Sequence, residues 1–256
     1  MKYSILINNI SDNPLLTTQH GLSVFVESDN GKYFFDCGAS KAFISNAEIL
    51  GIDLKDVDYL MLSHAHIDHT GGLPYFLKIN SKAKIICSSR IFGYEYFSLR
   101  KGVHSLSAPQ TEPDQMSRFI FADKDTKIGE INVISDVSNN YPRPKGNDSL
   151  KLKLSDNSFA DDDFSHELIF VLNNKFVYTG CAHKGILNIL NTLLINKIKP
   201  QIVSGGFHLL SDCDGNLIDS LSDLLLLRKN IQKDFKNTDF VPLHCTCDKA
   251  IDIIFK

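Results

Sequence analysis

Four residues able to ligate a metal, His64, His66, Asp68 and His69, fall within six positions of the segment Ser63 to Gly71, S-H-A-H-I-D-H-T-G. Imidazole and carboxylate suit zinc, iron or manganese, whereas a structural zinc site more often closes a shell of thiolates, so the set reads as an open, catalytic centre. With nine histidines in 256 residues, three of them beside an aspartate in so short a window are improbable as an ordinary polar turn. On an extended segment, residues two apart point the same way. His64 and His66 can therefore hold one metal ion while the following turn swings Asp68 and His69 toward a second. A zinc ion lowers the pKa of its bound water from 15.7 to about 7, and two ions about 3.5–4 Å apart can hold both a nucleophile and the oxygen under attack. The chemistry expected is hydrolysis by a dinuclear metal-bound hydroxide, with an ester, phosphoester, lactone or related small molecule as substrate.

Such residues need a rigid support. The apolar run Val57-Asp58-Tyr59-Leu60-Met61-Leu62 just before them reads as a buried strand. Gly71 and Gly72 permit a tight turn into Leu73-Pro74-Tyr75-Phe76-Leu77, where a proline is tolerated in the first turn of a helix. Elsewhere, strand signals fall at 2–8, 22–28, 32–36, 56–63, 83–88, 130–135, 167–172, 175–180, 201–204 and 239–243. Helix signals fall at 40–50, 71–79, 184–196, 217–233 and 247–254. The third helix carries Ile186, Ile189, Leu190, Leu193 and Leu194 at amphipathic spacing, and the fourth Leu217, Leu221, Leu224 and Leu225. The class is α/β. Segments 99–118 and 137–165 hold few apolar residues and many turn formers, and read as long loops of the kind that is usually functional or disordered. Arg143 and Lys145 in the second could meet an anionic group of a substrate.

Length and composition, 43% hydrophobic and 22% charged, suit one α/β domain spanning 1–256. A net charge of -3 gives no electrostatic case for nucleic acid. No apolar stretch approaches the roughly 18 residues of a spanning helix, and the opening Met1-Lys2-Tyr3-Ser4-Ile5-Leu6 lacks the succession of a signal peptide, so a cytoplasmic protein without membrane contact is expected. Six scattered cysteines suit reduced thiols. Cys245-Thr246-Cys247 is the one close pair; its spacing suggests metal, but no second pair matches it.

The segment H-A-H-I-D-H resembles the H-x-H-x-D-H signature of the metallo-β-lactamase superfamily, and F-F-D-C-G at Phe34 to Gly38 is similar to that family's F-D-x-G. H-G-L-S at His20, T-G-C-A-H-K-G-I at Thr179, G-G-F-H-L at Gly205 and H-C-T at His244 resemble its branch of dihydropterin-ribofuranosylaminobenzene-phosphate synthases. These segments run from residue 20 to residue 246. The resemblance implies a four-layer αββα sandwich with the site at its edge, among strand-end loops. It also implies two divalent metal ions, zinc foremost, with iron or manganese as alternatives.

By the same resemblance, His244 is the last histidine of the second metal. Cys181 stands where the superfamily normally has an aspartate bridging both metals; a thiolate can coordinate or bridge there, and makes the site sensitive to oxidation. The third histidine of the first metal usually comes from a G-H-T/S turn that this chain lacks. His166 is the one histidine in that stretch, and His183 competes with it. At the head of a helix, His183 would have its cationic form disfavoured by the helix dipole. Asp68 would both ligate the second metal and orient the nucleophile, while His183 or His208 would stabilise developing negative charge.

Three readings follow, with oligomeric state left open. The first is the metal-dependent hydrolase. The second is a transferase like the branch's synthases, in which an arylamine displaces a pterin-type diphosphate ester. The third is a non-catalytic metal or ligand-binding protein.

Overall fold

The computed structural model describes residues 1–256. Its first sheet follows the chain outward: β1 (Lys2–Ile7), β2 (Ser23–Ser28) and β3 (Gly31–Phe35) are antiparallel, and β4 (Tyr59–Met61), β5 (Lys84–Cys87) and β8 (Phe119–Phe121) then add in parallel. The second sheet has the same plan. There β9 (Thr126–Ile128), β10 (Ile131–Ile134), β13 (Ile169–Leu172) and β14 (Phe176–Tyr178) are antiparallel, followed by parallel β15 (Ile202–Gly205) and β16 (Asp239–Pro242).

Side-chain alternation makes four layers of these sheets. Val24, Val26, Phe35, Met61 and Ile86 of the first sheet meet Val133, Phe170, Leu172 and Tyr178 of the second in one buried cluster. The opposite face of the first sheet, with Phe34, Leu60 and Ile85, packs on α1 (Ala42–Ile49) and α3 (Leu73–Ile79) through Phe43, Ala47, Leu73 and Phe76. Val171, Val177 and Val203 on the far side of the second sheet pack on α4 (Ile186–Ile195), α5 (Leu221–Asp234) and α6 (Asp248–Phe255). The fold is therefore the αββα sandwich. Fully burying a Leu, Ile or Phe side chain contributes about 1.5–3 kcal/mol, so these three clusters hold the sheet edges in register. No helix is long and apolar enough to cross a membrane.

The two segments read as loops are partly a third sheet. β6 (Glu95–Ser98), β7 (His104–Ser105), β11 (Leu150–Lys153) and β12 (Phe159–Asp161) form an antiparallel four-stranded sheet in the order β12-β11-β6-β7. The signal was the alternation Leu150-Lys151-Leu152-Lys153, which puts Leu150 inward; the strands are too short for composition to reveal them. Tyr96 of β6 is buried and donates from its hydroxyl to the Arg90 carbonyl.

Candidate metal centre

The histidine motif leaves β4 and turns directly into α2 (Ile67–Thr70), so its side chains hang over the edge between the two large sheets. His64, His66 and His69 are all buried. Four residues just beyond strands β3, β14, β15 and β16, namely Asp36, Ala182, His208 and His244, hold positive φ of 53°, 54°, 49° and 49°. Left-handed backbone at non-glycine residues is uncommon and costs about 1–3 kcal/mol, a cost that concentrates at functional sites. Gly180 also has positive φ, and a Cβ there would collide with Ser63 against the ring of His64. Its absence lets the β14 loop approach the motif closely.

Three ring nitrogens converge without partners. Nε2 of His64, of His66 and of His183 are buried and unpaired, and the ligand atoms of these residues lie within 4.8 Å of one another. An unsatisfied buried polar atom costs about 1–3 kcal/mol, so three together fit a divalent cation far better than an apolar gap. In His64 and His183 the other nitrogen is engaged in the sense this requires. His64 Nδ1 donates to Ser63 Oγ at 2.8 Å, and His183 Nδ1 donates to Asn147 Oδ1 at 3.0 Å. Each bond leaves the Nε2 lone pair facing inward.

Beside this set lies another. His244 Nε2 is 3.0 Å from Asp68 Oδ2, His69 Nε2 is 3.7 Å from the same oxygen, and Cys181 Sγ is 3.1 Å from His69 Nε2. Cys181 also falls within 4.8 Å of the ligand atoms of both His64 and His69, which puts the sulfur between the two sets. His244 Nδ1 lies 2.8 Å from Asn9 Oδ1 and 3.2 Å from the Gly21 backbone N–H, and Asn8 Oδ1 accepts from the His244 backbone N–H at 2.8 Å.

The structure places His166 differently from expectation. Its Nδ1 accepts the Ala65 N–H at 3.1 Å and its Nε2 donates to Asp162 Oδ2 at 3.0 Å, so neither nitrogen is free for a metal. His166 props the motif from behind, between Tyr96 and His64. His183 takes the inward position, yet it precedes α4 by three residues instead of heading it. Its backbone N–H and that of Lys184 donate to the Glu167 carboxylate at 2.6 and 2.8 Å, which fixes the turn that aims the ring.

Burial, then the neighbouring imidazoles, push His64 and His183 well below the ordinary histidine range. Burial also lowers His66. These rings are neutral at pH 7 and have lone pairs to offer. His69 behaves oppositely: burial lowers it, but the charges of Asp36 and Asp68 prevail and lift it to about 9. Burial would raise Asp68, yet His69 and His244 hold it well below the usual carboxylate range. Ionised Asp68 beside the neutral rings of His64, His66 and His183 favours a cation in this pocket.

A cavity of about 200 Å³ opens onto these atoms, walled by His66, Asp68, Cys181, His183, His208 and His244. His208 has no partner at either ring nitrogen, and its ring lies 4.3 Å from that of His183. His20, Arg100 and Leu210 join the cavity to an outer groove of about 490 Å³. Arg143 and Lys145 do not line it; Arg143 donates to the Asp163 carbonyl and lies over the Phe164 ring. Sequence reasoning missed Asn8, Asn9, Asn147, Asp162 and Glu167, which hold ligands from elsewhere in the chain and form no motif of their own.

An αββα sandwich with paired ligand sets at the edge of its sheets defines a class of metal-dependent proteins. The chain belongs to the metallo-β-lactamase superfamily, whose family model matches residues 16–196. It is 27% identical over 257 residues to an uncharacterized protein of Methanocaldococcus jannaschii, covering 96% of this chain and 91% of that one. Over 236 residues it is 26% identical to the same organism's 7,8-dihydropterin-6-methyl-4-(beta-D-ribofuranosyl)-aminobenzene-5'-phosphate synthase, covering 81% and 76%. The crystal structure of a metal-dependent hydrolase of the β-lactamase superfamily superposes with a TM-score of 0.78 at 28% identity, covering 98% of this chain and 90% of that one.

Proposed function

We propose that this protein is a metal-dependent hydrolase of a small molecule bearing an ester, phosphoester or related electrophile. The observation that carries the reading is the convergence of three unpaired Nε2 atoms, of His64, His66 and His183, beside a second set formed by Asp68, His69, Cys181 and His244. Divalent ions held by these two sets, zinc foremost, supply Lewis-acid polarisation and make water a competent nucleophile at neutral pH.

The chain's own residues supply the rest. Asp68, ionised and facing the cavity, orients the nucleophile as a hydrogen-bond acceptor. His208, with both ring nitrogens free, donates to the oxygen on which negative charge develops. Cavity and groove together give room for a small molecule, and Arg100 at their junction meets an anionic group on it.

A second reading is transfer of the synthase kind, favoured by the 26% identical relative that carries a synthase name. Both reactions draw on the same site and differ in whether water or an amine attacks. Incubating metal-loaded protein with phosphodiester, lactone and thioester substrates tests the first reading, which expects turnover with water alone. Activity only when a pterin-type diphosphate ester and an arylamine are supplied together would favour the second.

A further inference from the structure

Cys245 follows His244 directly, and the reading above does not use it. Its side chain is buried, and its Sγ lies within 4.8 Å of Cys181 Sγ and of the ligand nitrogen of His244. Two features shape a place for that sulfur. Gly206, just past β15, lacks the Cβ that would collide with Sγ, so the neighbouring loop leaves the space open. The His208 backbone N–H donates to Sγ with N···S 3.3 Å. Amide donors of this kind stabilise a sulfur that carries negative charge, as the partners behind ligating groups commonly do. Cys247, the other half of the C-x-C pair, is instead the N-cap residue of α6 and packs against the core.

We propose that Cys245 is a second thiolate ligand of the metal ion held by Asp68, His69 and His244, alongside Cys181. The inference rests on the two-metal reading above and adds a distinction between the two positions. The set of His64, His66 and His183 offers nitrogen, whereas the neighbouring set becomes rich in sulfur. Soft thiolates favour zinc, cobalt or cadmium over manganese or magnesium, so the second position discriminates against hard ions while the first is more tolerant.

Cobalt(II) loading tests this without reference to turnover, since each cobalt–thiolate bond contributes a near-ultraviolet charge-transfer band. Wild type is expected to show the band, Cys245→Ser and Cys181→Ser each to keep about half of it, and the double variant to show none. A Cys245→Ser protein that binds cobalt with the full band would overturn the assignment of Cys245. Wild type that takes up no cobalt defeats the two-metal reading itself, a separate outcome. Should Cys245→Ser not fold, alkylation of wild type decides: metal should protect Cys245 and leave exposed Cys213 reactive. Equal labelling of Cys245 in metal-free and metal-loaded protein would overturn the proposal.

Discussion

Asp36 Oδ2 accepts the Nδ1 proton of His69 at 2.6 Å, and this contact points His69 Nε2 at Cys181. The same oxygen accepts from the Ser63 hydroxyl at 2.7 Å and the Tyr178 hydroxyl at 2.8 Å. Ser63 in turn accepts from His64 Nδ1, so one buried carboxylate sets the tautomer of a histidine in each ligand set. Carboxylate partners behind a metal-bound histidine typically contribute 10–100-fold in affinity. Asp36→Asn is therefore expected to weaken metal retention by about that factor. Titration against a competing chelator checks it, with Ser63→Ala expected to give the smaller loss.

His183 and His166 separate by the same measurement. His183→Ala removes an inward-facing nitrogen and should lower the metal bound per chain. His166→Ala removes hydrogen bonds to Ala65 and Asp162 and should lower stability by about 1–3 kcal/mol with metal content kept. Elemental analysis and denaturant melts on the two variants check this, and a His166→Ala protein that sheds metal while still folded would reverse the assignment.

His208→Ala should retain its metal and lose turnover by about 10²–10³-fold, because a donor aimed at developing charge acts mainly in the transition state. Comparing kcat with metal content on one preparation tests it. Metal loss in step with activity would instead make His208 a ligand, a role its place near Cys181 and His183 also permits.

Metal-free protein should lose stability in mild acid. His64, His66 and His183 are depressed below the usual 6.5, so between their folded values and 6.5 the unfolded chain binds more protons than the folded one. Their contribution is complete above about 6.5 and is lost as pH falls below it. His69, lifted to about 9, acts oppositely: its contribution grows as pH falls from 7 through 6.5 and offsets part, but not all, of the loss from the three depressed rings. Glu167, raised from 4.5 by burial, acts oppositely just above its ordinary value, so the comparison belongs at 5.5 and above. The midpoint in urea should drop between pH 7 and 5.5. A flat profile would mean that these rings are not held neutral.

Much of the fold was legible because its signals are local. The strand at β4 and the turn after it were set by an apolar run and two glycines, and the helix α4 by leucine and isoleucine spacing. The stripe expected for α5 is corrected: Leu217 lies outside the helix, Leu221 and Leu225 are exposed, and Leu224, Leu227 and Ile231 are the residues that face the core. The third sheet was not, since strands of two to four residues with one inward face offer little pattern. At the site, the H-A-H-I-D-H residues needed only their own spacing. The choice between His166 and His183 did not yield to sequence, because it depends on hydrogen bonds across the chain. Asp162, four residues before His166, occupies that ring, and Glu167 draws the backbone of His183 inward. Asn147 then sets the His183 tautomer from a segment that reads as loop.

The most direct test of the central claim is elemental analysis of protein reconstituted with zinc, iron or manganese, with turnover on ester, lactone and phosphodiester substrates measured on the same samples. About two equivalents of metal per chain, lost together with activity on chelation, is the expected result. Protein that holds no stoichiometric metal under any of the three ions, or whose turnover survives complete metal removal, would contradict the account.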